Sequence, residues 1–260
     1  MKITEIKATI VEGSYPWVYF RVLTDEGLYG LAEAYPVRGV IDVVARQLEE
    51  FLIGQDPLAI EPLYNYLLER PPGPSTGGAY RDRVRLYADV GHGTHMEDTT
   101  QAWADRAREG RDDGFAAIKF DIDHSADEHN LDPVNRGLSL GELDKMESLM
   151  AAAREAVGPG LDICVDCHGL YNVRDALLLA ERLAPYNLMF LEDPVPPENI
   201  EAMAKVTAGT PIPICTGEFL HRRDGFRPLI ESQACDMLHI DAASTGGLWE
   251  AKKIADLADL

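Results

Sequence analysis

The 260 residues carry 44 Asp and Glu against 24 Lys and Arg, a formal net charge of −20 with a pI near 4.6, which argues against a nucleic-acid or anionic-membrane partner. With 46% hydrophobic residues the chain can bury a full core, and no run of eighteen apolar residues offers a transmembrane helix. The opening MKITEIKATIVEG alternates charged and apolar residues without a signal-peptide core, so the cytoplasm is the expected compartment.

In chain order, residues 1–37 read as antiparallel strands: KITEIKATIV, then WVYFRVLTDEG, then LYGLAEAY, with Asp25-Glu26-Gly27 supplying turn chemistry. Apolar helical periodicity follows in Ile41–Ile53 and Ile60–Leu68. The breaker cluster RPPGPSTGGA at 70–79 marks the domain boundary. It separates an N-terminal α+β domain over residues 1–78 from a second domain over 79–260. In the second domain, strands read at 83–90, 115–121, 161–167, 187–192, 212–217 and 236–241, with helical segments such as Leu143–Val157 and Val173–Leu183 between them. Regular alternation of this kind implies a parallel sheet or a β/α barrel, because parallel neighbours require a crossover. The acidic stretch IDHSADEHNLDPVNRGLS at 122–139 is the main irregular insertion.

Four of these strands end on chemistry. ICVDCHG closes on Asp166 and His168, FLEDPV on Glu192 and Asp193, IPICTGE on Glu218, and DMLHID on Asp241. Asp166, Glu192 and Glu218 are spaced 26 residues apart each time, a plausible length for one β/α unit. In a parallel barrel all three fall on the C-terminal rim. Neighbouring strands stand about 4.8 Å apart, so the carboxylates can converge on one cation. Three bare carboxylates repel, and a hard dication such as Mg²⁺ neutralises them. Single acids at strand ends also cap helices; three at equal spacing read as a metal site. Cys164 and Cys167 form a C-x-x-C. Strand positions three apart face opposite sides, which disfavours a shared metal or redox pair, and four cysteines in a chain this long point to thiols.

The residues just quoted carry a family resemblance. RVLTDEGLYGLAEAY with LIGQDPLAIEPLY, the ladder Asp166–Glu192–Glu218, and DMLHIDAASTGGLWEAKKIA together resemble the enolase superfamily in its mandelate racemase-like branch. The resemblance covers nearly the whole chain. It implies an α/β architecture, an incomplete (β/α) TIM-type barrel under the N-terminal capping domain. It also implies that the three acids hold Mg²⁺, which stabilises an enediolate formed by removing the proton α to a substrate carboxylate. Asp241 matches the aspartate that partners a catalytic histidine.

Many members carry Lys-x-Lys on the second barrel strand; IKFDID supplies Lys119 but has Asp121 in the second position. Both point the same way by strand parity. VDCHG and LAPYNLMFLEDPV look like galactonate dehydratase and related acid-sugar dehydratases, in which the histidine at the place of His168 protonates the departing 3-hydroxyl. Its ordinary pKa suits proton transfer. Lys119 is expected near the substrate carboxylate, or else in an ion pair with Asp121 or a metal ligand. His239 shares a face with Asp241 but lies deeper, where it would orient a metal ligand. His92, His95 and His221 read as exposed loop histidines. Glu33 and Tyr35, after the second hairpin strand, are candidates for substrate contact.

The expected activity is therefore a Mg²⁺-dependent dehydratase of small-molecule sugar acids, a hydro-lyase giving a 2-keto-3-deoxy acid, in a homo-oligomer. The sequence ends inside the apolar helical pattern KKIADLADL, before the seventh strand on which the resemblance places the histidine paired with Asp241. It also has a shortened cap. A catalytically silent fragment or remnant is the alternative from another class. Among enzymes the alternative is a racemase or epimerase of hydroxy acids, which needs bases on both faces, and the lysine base is absent.

Overall fold

Strand alternation at the N-terminus folds into a hairpin-linked antiparallel sheet. In the computed structural model, which describes residues 1–12, 16–34, 41, 49–60, 63, 84–91, 98–123 and 137–259, two units are formed, Met1–Asp82 and Arg83–Leu260.

In the first unit, β1 (Ile3–Glu12), β2 (Pro16–Thr24) and β3 (Tyr29–Ala34) pair in the order β1-β2-β3. The β2–β3 turn closes with Thr24 N donating to Leu28 O at 3.0 Å, and Gly27 takes the left-handed conformation (φ +80°) that the turn needs. Ile3 and Ile6 are both buried although they are three residues apart. A register shift between Ile3 and Glu5 reconciles this with strand parity, since one irregularity moves the later residues to the other face. They pack with Val18, Phe20 and Ile41. Residues 49–52 are helical, within the predicted Ile41–Ile53 segment. Most of the Ile60–Leu68 segment, the 70–79 cluster and Tyr35 lie outside the described residues.

The second unit winds strand and helix alternately. Its strands are β4 (Ala88–Asp89), β5 (Ala117–Asp121), β6 (Asp162–Asp166), β7 (Phe190–Glu192), β8 (Ile214–Thr216) and β9 (Met237–Leu238). All pair in parallel, in the order β4-β5-β6-β7-β8-β9. Helices α1 (Thr100–Asp112), α2 (Leu140–Val157), α3 (Val173–Leu183), α4 (Ile200–Gly209) and α5 (Arg222–Glu231) make the crossovers, and α6 (Leu248–Ala258) follows β9. A doubly wound sheet reverses its strand order at a switch point; this one never does. Among the described strands β4 and β9 are not paired with each other, so the six form part of a (β/α) barrel with two open edges.

Local chemistry starts the helices where the periodicity places them. Ser139 and Glu142 make a reciprocal capping box for α2, and the side chains of Thr99, Asn172 and Asn199 cap α1, α3 and α4. Strand parity then sorts the core. Ile118, Phe120, Ile163, Val165, Leu191 and Ile214 belong to the buried helix-side core with Met146, Met150, Leu179, Met203 and Phe226. Trp103 of α1 stacks on Phe120 with centroids 4.3 Å apart. Cys167 lies in that core, whereas Cys164 packs with Phe190 and Cys215 in a separate cluster; all four cysteines are free thiols. No described helix is long and apolar enough to cross a membrane.

Candidate active site

The alternate residues of β5 to β7, those not used in the helix-side core, supply the polar cluster. Lys119 and Asp121 come from β5, Asp166 from β6 and Glu192 from β7, and all are buried. Register sets their heights. Asp121 pairs with Asp166, and Asp166 with Glu192, so the strand ends align. Backbone bonds carry the pairing past the strand ends, from Ile122 N to Asp166 O at 3.0 Å and from Cys167 N to Glu192 O at 3.1 Å.

Equal spacing does not mean equal height for Glu218. Glu192 pairs with Cys215, so Glu218 stands three residues beyond the position level with Glu192, past the end of β8. Gly217 carries it there with φ +135°, and a Cβ on Gly217 would lie 2.7 Å from Phe226 and 2.8 Å from the His239 carbonyl oxygen. Only glycine fits so tight a passage in that conformation.

The donor atoms fall into two groups. Asp121, Asp166 and His168 place one ligand atom each within 4.8 Å of one another, and so do Glu192, Glu218 and His239. Lys119 joins them, its Nζ donating to Asp166 Oδ2 at 2.7 Å and to Glu192 Oε2 at 3.3 Å. The ion pair with prospective metal ligands is thus formed. Burial alone would depress the Lys119 ammonium, but the charges of Asp166 and Glu192 hold it well above its usual range. Burial likewise opposes ionisation of Asp166, yet the Lys119 charge beside it keeps that carboxyl below its ordinary value. Glu218 is pushed up, by burial and then by the charges of Asp166 and Glu192, so the three ladder acids feel one another.

His168 follows Asp166 in a left-handed conformation (φ +43°), its backbone N donating to Asp166 Oδ1 at 3.0 Å. Its Nδ1 lies 3.0 Å from Asp123 Oδ2, and its Nε2 lies 3.9 Å from Asp166 Oδ2. Hydrogen bonding to Asp123 pushes the imidazole up to about 10. His239 Nδ1 is hydrogen-bonded to Glu192 Oε1.

The remaining sequence candidates make contacts of their own. The Asp241 carboxylate accepts from Ala243 N at 2.8 Å, and its carbonyl accepts from Thr245; among the described residues no histidine is bonded to it. Glu33 is exposed on β3 opposite Tyr19. His221 is exposed, with Nδ1 3.1 Å from Ser244 O, while His92 and His95 lie outside the described residues.

One residue escaped the sequence reading, and Asp193, which it noted, serves another purpose. Asp123 lies two residues past the end of β5, where its Oδ2 meets His168 Nδ1. Asp193 follows Glu192 and takes the opposite parity, so its carboxylate accepts from the Thr216 hydroxyl rather than joining the ladder. Burial raises it to about 7.

The donor set fits a hard divalent cation. Lys119 bridges Asp166 of one group and Glu192 of the other, and oxygen-rich, negatively charged groups of this kind suit Mg²⁺ better than soft metals.

Residues 102–260 match the family model described as Enolase C-terminal domain-like. The chain is similar to the D-xylonate dehydratase of Haloferax volcanii, 37% identical over 294 residues that cover 100% of this chain and 70% of the relative. It is also similar to the D-galactarolactone cycloisomerase of Agrobacterium fabrum, 34% identical over 187 residues, covering 71% of this chain and 44% of that one. Among solved structures, the mandelate racemase/muconate lactonizing enzyme-like protein from Rubrobacter xylanophilus superposes with a TM-score of 0.83 at 32% identity, covering 99% of this chain and 77% of that chain.

Proposed function

The chain belongs to the enolase C-terminal domain-like family, and on that premise we propose that it is a Mg²⁺-dependent dehydratase of sugar acids, producing 2-keto-3-deoxy acids. The observation that carries the reading is the juxtaposition of buried carboxylates with a half-buried imidazole two residues beyond Asp166. An acid beside a cation site is what β-elimination of a hydroxyl requires, because hydroxide leaves poorly unless protonated.

Asp166, Glu192 and Glu218 would hold the ion, with Asp121 and His239 adjoining. When bound, it supplies positive charge at the substrate carboxylate. Lys119 offsets the negative charge that develops as the C2 proton departs to a base, for which Asp241 is the proposed orienting partner. His168 gives a proton to the 3-hydroxyl as the C3–O bond breaks, and the resulting enol ketonises. Glu33 and Tyr35 remain proposed substrate contacts.

The test is a panel of aldonates with the purified protein, assayed for 2-keto acid with Mg²⁺ and with EDTA. Keto acid is expected only with Mg²⁺. His168→Asn should lower turnover about 10²–10⁴-fold with Mg²⁺ affinity retained. A panel that yields no keto acid, or turnover confined to lactone isomerisation, overturns the assignment.

A further inference from the structure

The group of donors that includes Glu218 is completed by an imidazole. Among the described residues, Glu192, Glu218 and His239 place one ligand atom each within 4.8 Å of one another, while Asp166 belongs to the other group. A ring that merely oriented Glu192 would need to reach Glu192 alone. This one also stands within that span of Glu218.

Strand chemistry explains why the ring is there. Leu238 and Ile240 pack against the helix-side core, whereas Met237 packs with the cluster of Cys164, Phe190 and Cys215. Alternation therefore sets His239 on the Met237 face. The β8–β9 pairing runs on past the strand ends, with His239 N donating to Thr216 O at 2.9 Å. Gly217 lets the two backbones close, since the Cβ it lacks would lie 2.8 Å from the His239 carbonyl oxygen. The segments that carry Glu218 and His239 are thus held side by side by main-chain contacts, ahead of any ion.

Two ligands of one small dication, each about 2.1 Å from it, stand at most about 4.2 Å apart. A group spanning 4.8 Å closes onto such an ion with side-chain shifts of under about 1 Å. His239 Nδ1 already meets Glu192 Oε1, and the Glu192 side chain is fully buried. Carboxylate oxygens suit Mg²⁺, whereas imidazole nitrogen suits first-row transition ions. Two carboxylates with one imidazole make a mixed set that ions such as Mn²⁺ and Co²⁺ accept in full.

We propose that His239 is itself a ligand of the metal centre, and that the preference of the site for Mn²⁺ and Co²⁺ over Mg²⁺ depends on this ring. The proposal rests on the carboxylate metal site of the preceding section. On binding, a ring nitrogen gives its lone pair to the ion and any proton held there passes to solvent. The hydrogen bond to Glu192 gives way to an ion shared between the two side chains.

Pulsed EPR of the native protein loaded with Mn²⁺ below stoichiometry detects nitrogen bound to the ion and needs no variant. The native spectrum should show nitrogen modulation that changes from the ¹⁴N to the ¹⁵N pattern when histidine is labelled. That modulation should vanish in His239→Gln and persist in His168→Asn. Absence of histidine nitrogen from the native spectrum, or its survival in His239→Gln, overturns the proposal. Titration calorimetry is the second route, because Gln keeps an amide donor for Glu192 while removing the imidazole. His239→Gln should weaken Co²⁺ binding at least about 10-fold and Mg²⁺ binding less than about threefold. An equal loss for both ions marks a residue that only orients Glu192 and overturns the proposal, as does unchanged Co²⁺ affinity. A native protein that binds no dication overturns the metal site together with this proposal, whereas Mg²⁺ binding without histidine nitrogen on Mn²⁺ overturns this proposal alone. Failure of the dehydratase reading appears separately, as absence of keto acid from the native protein.

Discussion

Replacing Lys119 with Met removes an ammonium bonded to both Asp166 and Glu192 and leaves its stem in place. The Nζ stands 2.7 Å from Asp166 Oδ2 and 3.3 Å from Glu192 Oε2, and both carboxylates are fully buried. Deleting one partner of a buried ion pair strands the other charge and costs about 3–5 kcal/mol. In a chain of this size each kcal/mol moves the melting temperature by roughly 2–4 °C, so Lys119→Met should melt roughly 6–20 °C below the native protein in EDTA. A bound dication restores positive charge to the same carboxylates and stabilises whichever form it binds. Saturating Mg²⁺ should therefore recover more than half of the deficit, and calorimetric titration should show tighter Mg²⁺ binding once the ammonium no longer competes. Differential scanning calorimetry of both proteins, with EDTA and with MgCl₂, reads all of this. Equal melting in EDTA, or a deficit that Mg²⁺ leaves untouched, would refute the view that Lys119 and the metal share one charge-balancing role.

Three further outcomes follow from particular contacts. Glu192→Gln should weaken Mg²⁺ binding at least about 10-fold by titration calorimetry, since loss of a group that merely orients a ligand already costs that much. Gly217→Ala should lose about 1–3 kcal/mol in urea unfolding and also weaken Mg²⁺ binding. Its new Cβ would press on Phe226 and the His239 carbonyl and displace Glu218. Arg154 donates to the carbonyls of Tyr186, Gly158, Leu161 and Asn187 at 2.6–3.2 Å. Arg154→Met should therefore cost about 2–3 kcal/mol in urea unfolding while Mg²⁺ binding stays unchanged.

The order of strands and helices was legible in the sequence because apolar alternation and helical periodicity are local properties. So were the acids Asp166 and Glu192 at strand ends, the shared parity of Lys119 and Asp121, and the opposite faces of Cys164 and Cys167. Strand lengths were less so. The predicted 83–90 strand pairs only over Ala88–Asp89 and the predicted 236–241 strand only over Met237–Leu238, because an edge strand has one neighbour and an apolar run does not reveal where pairing stops.

What only the tertiary structure decided is register. The sequence put Glu218 at the end of its strand but not its height; the β7–β8 pairing carries it three residues past the position level with Glu192, around Gly217. Past the paired ends of β5 and β6, Asp123 meets His168, a partner that no motif announced. Lys119 could be placed on the right face by parity, but its choice of Asp166 and Glu192 over Asp121 depends on strand offsets of a few ångströms. Parity is fixed by the alternation of each strand alone. Offset is fixed by two strands and the helix between them, and no single segment of sequence contains it.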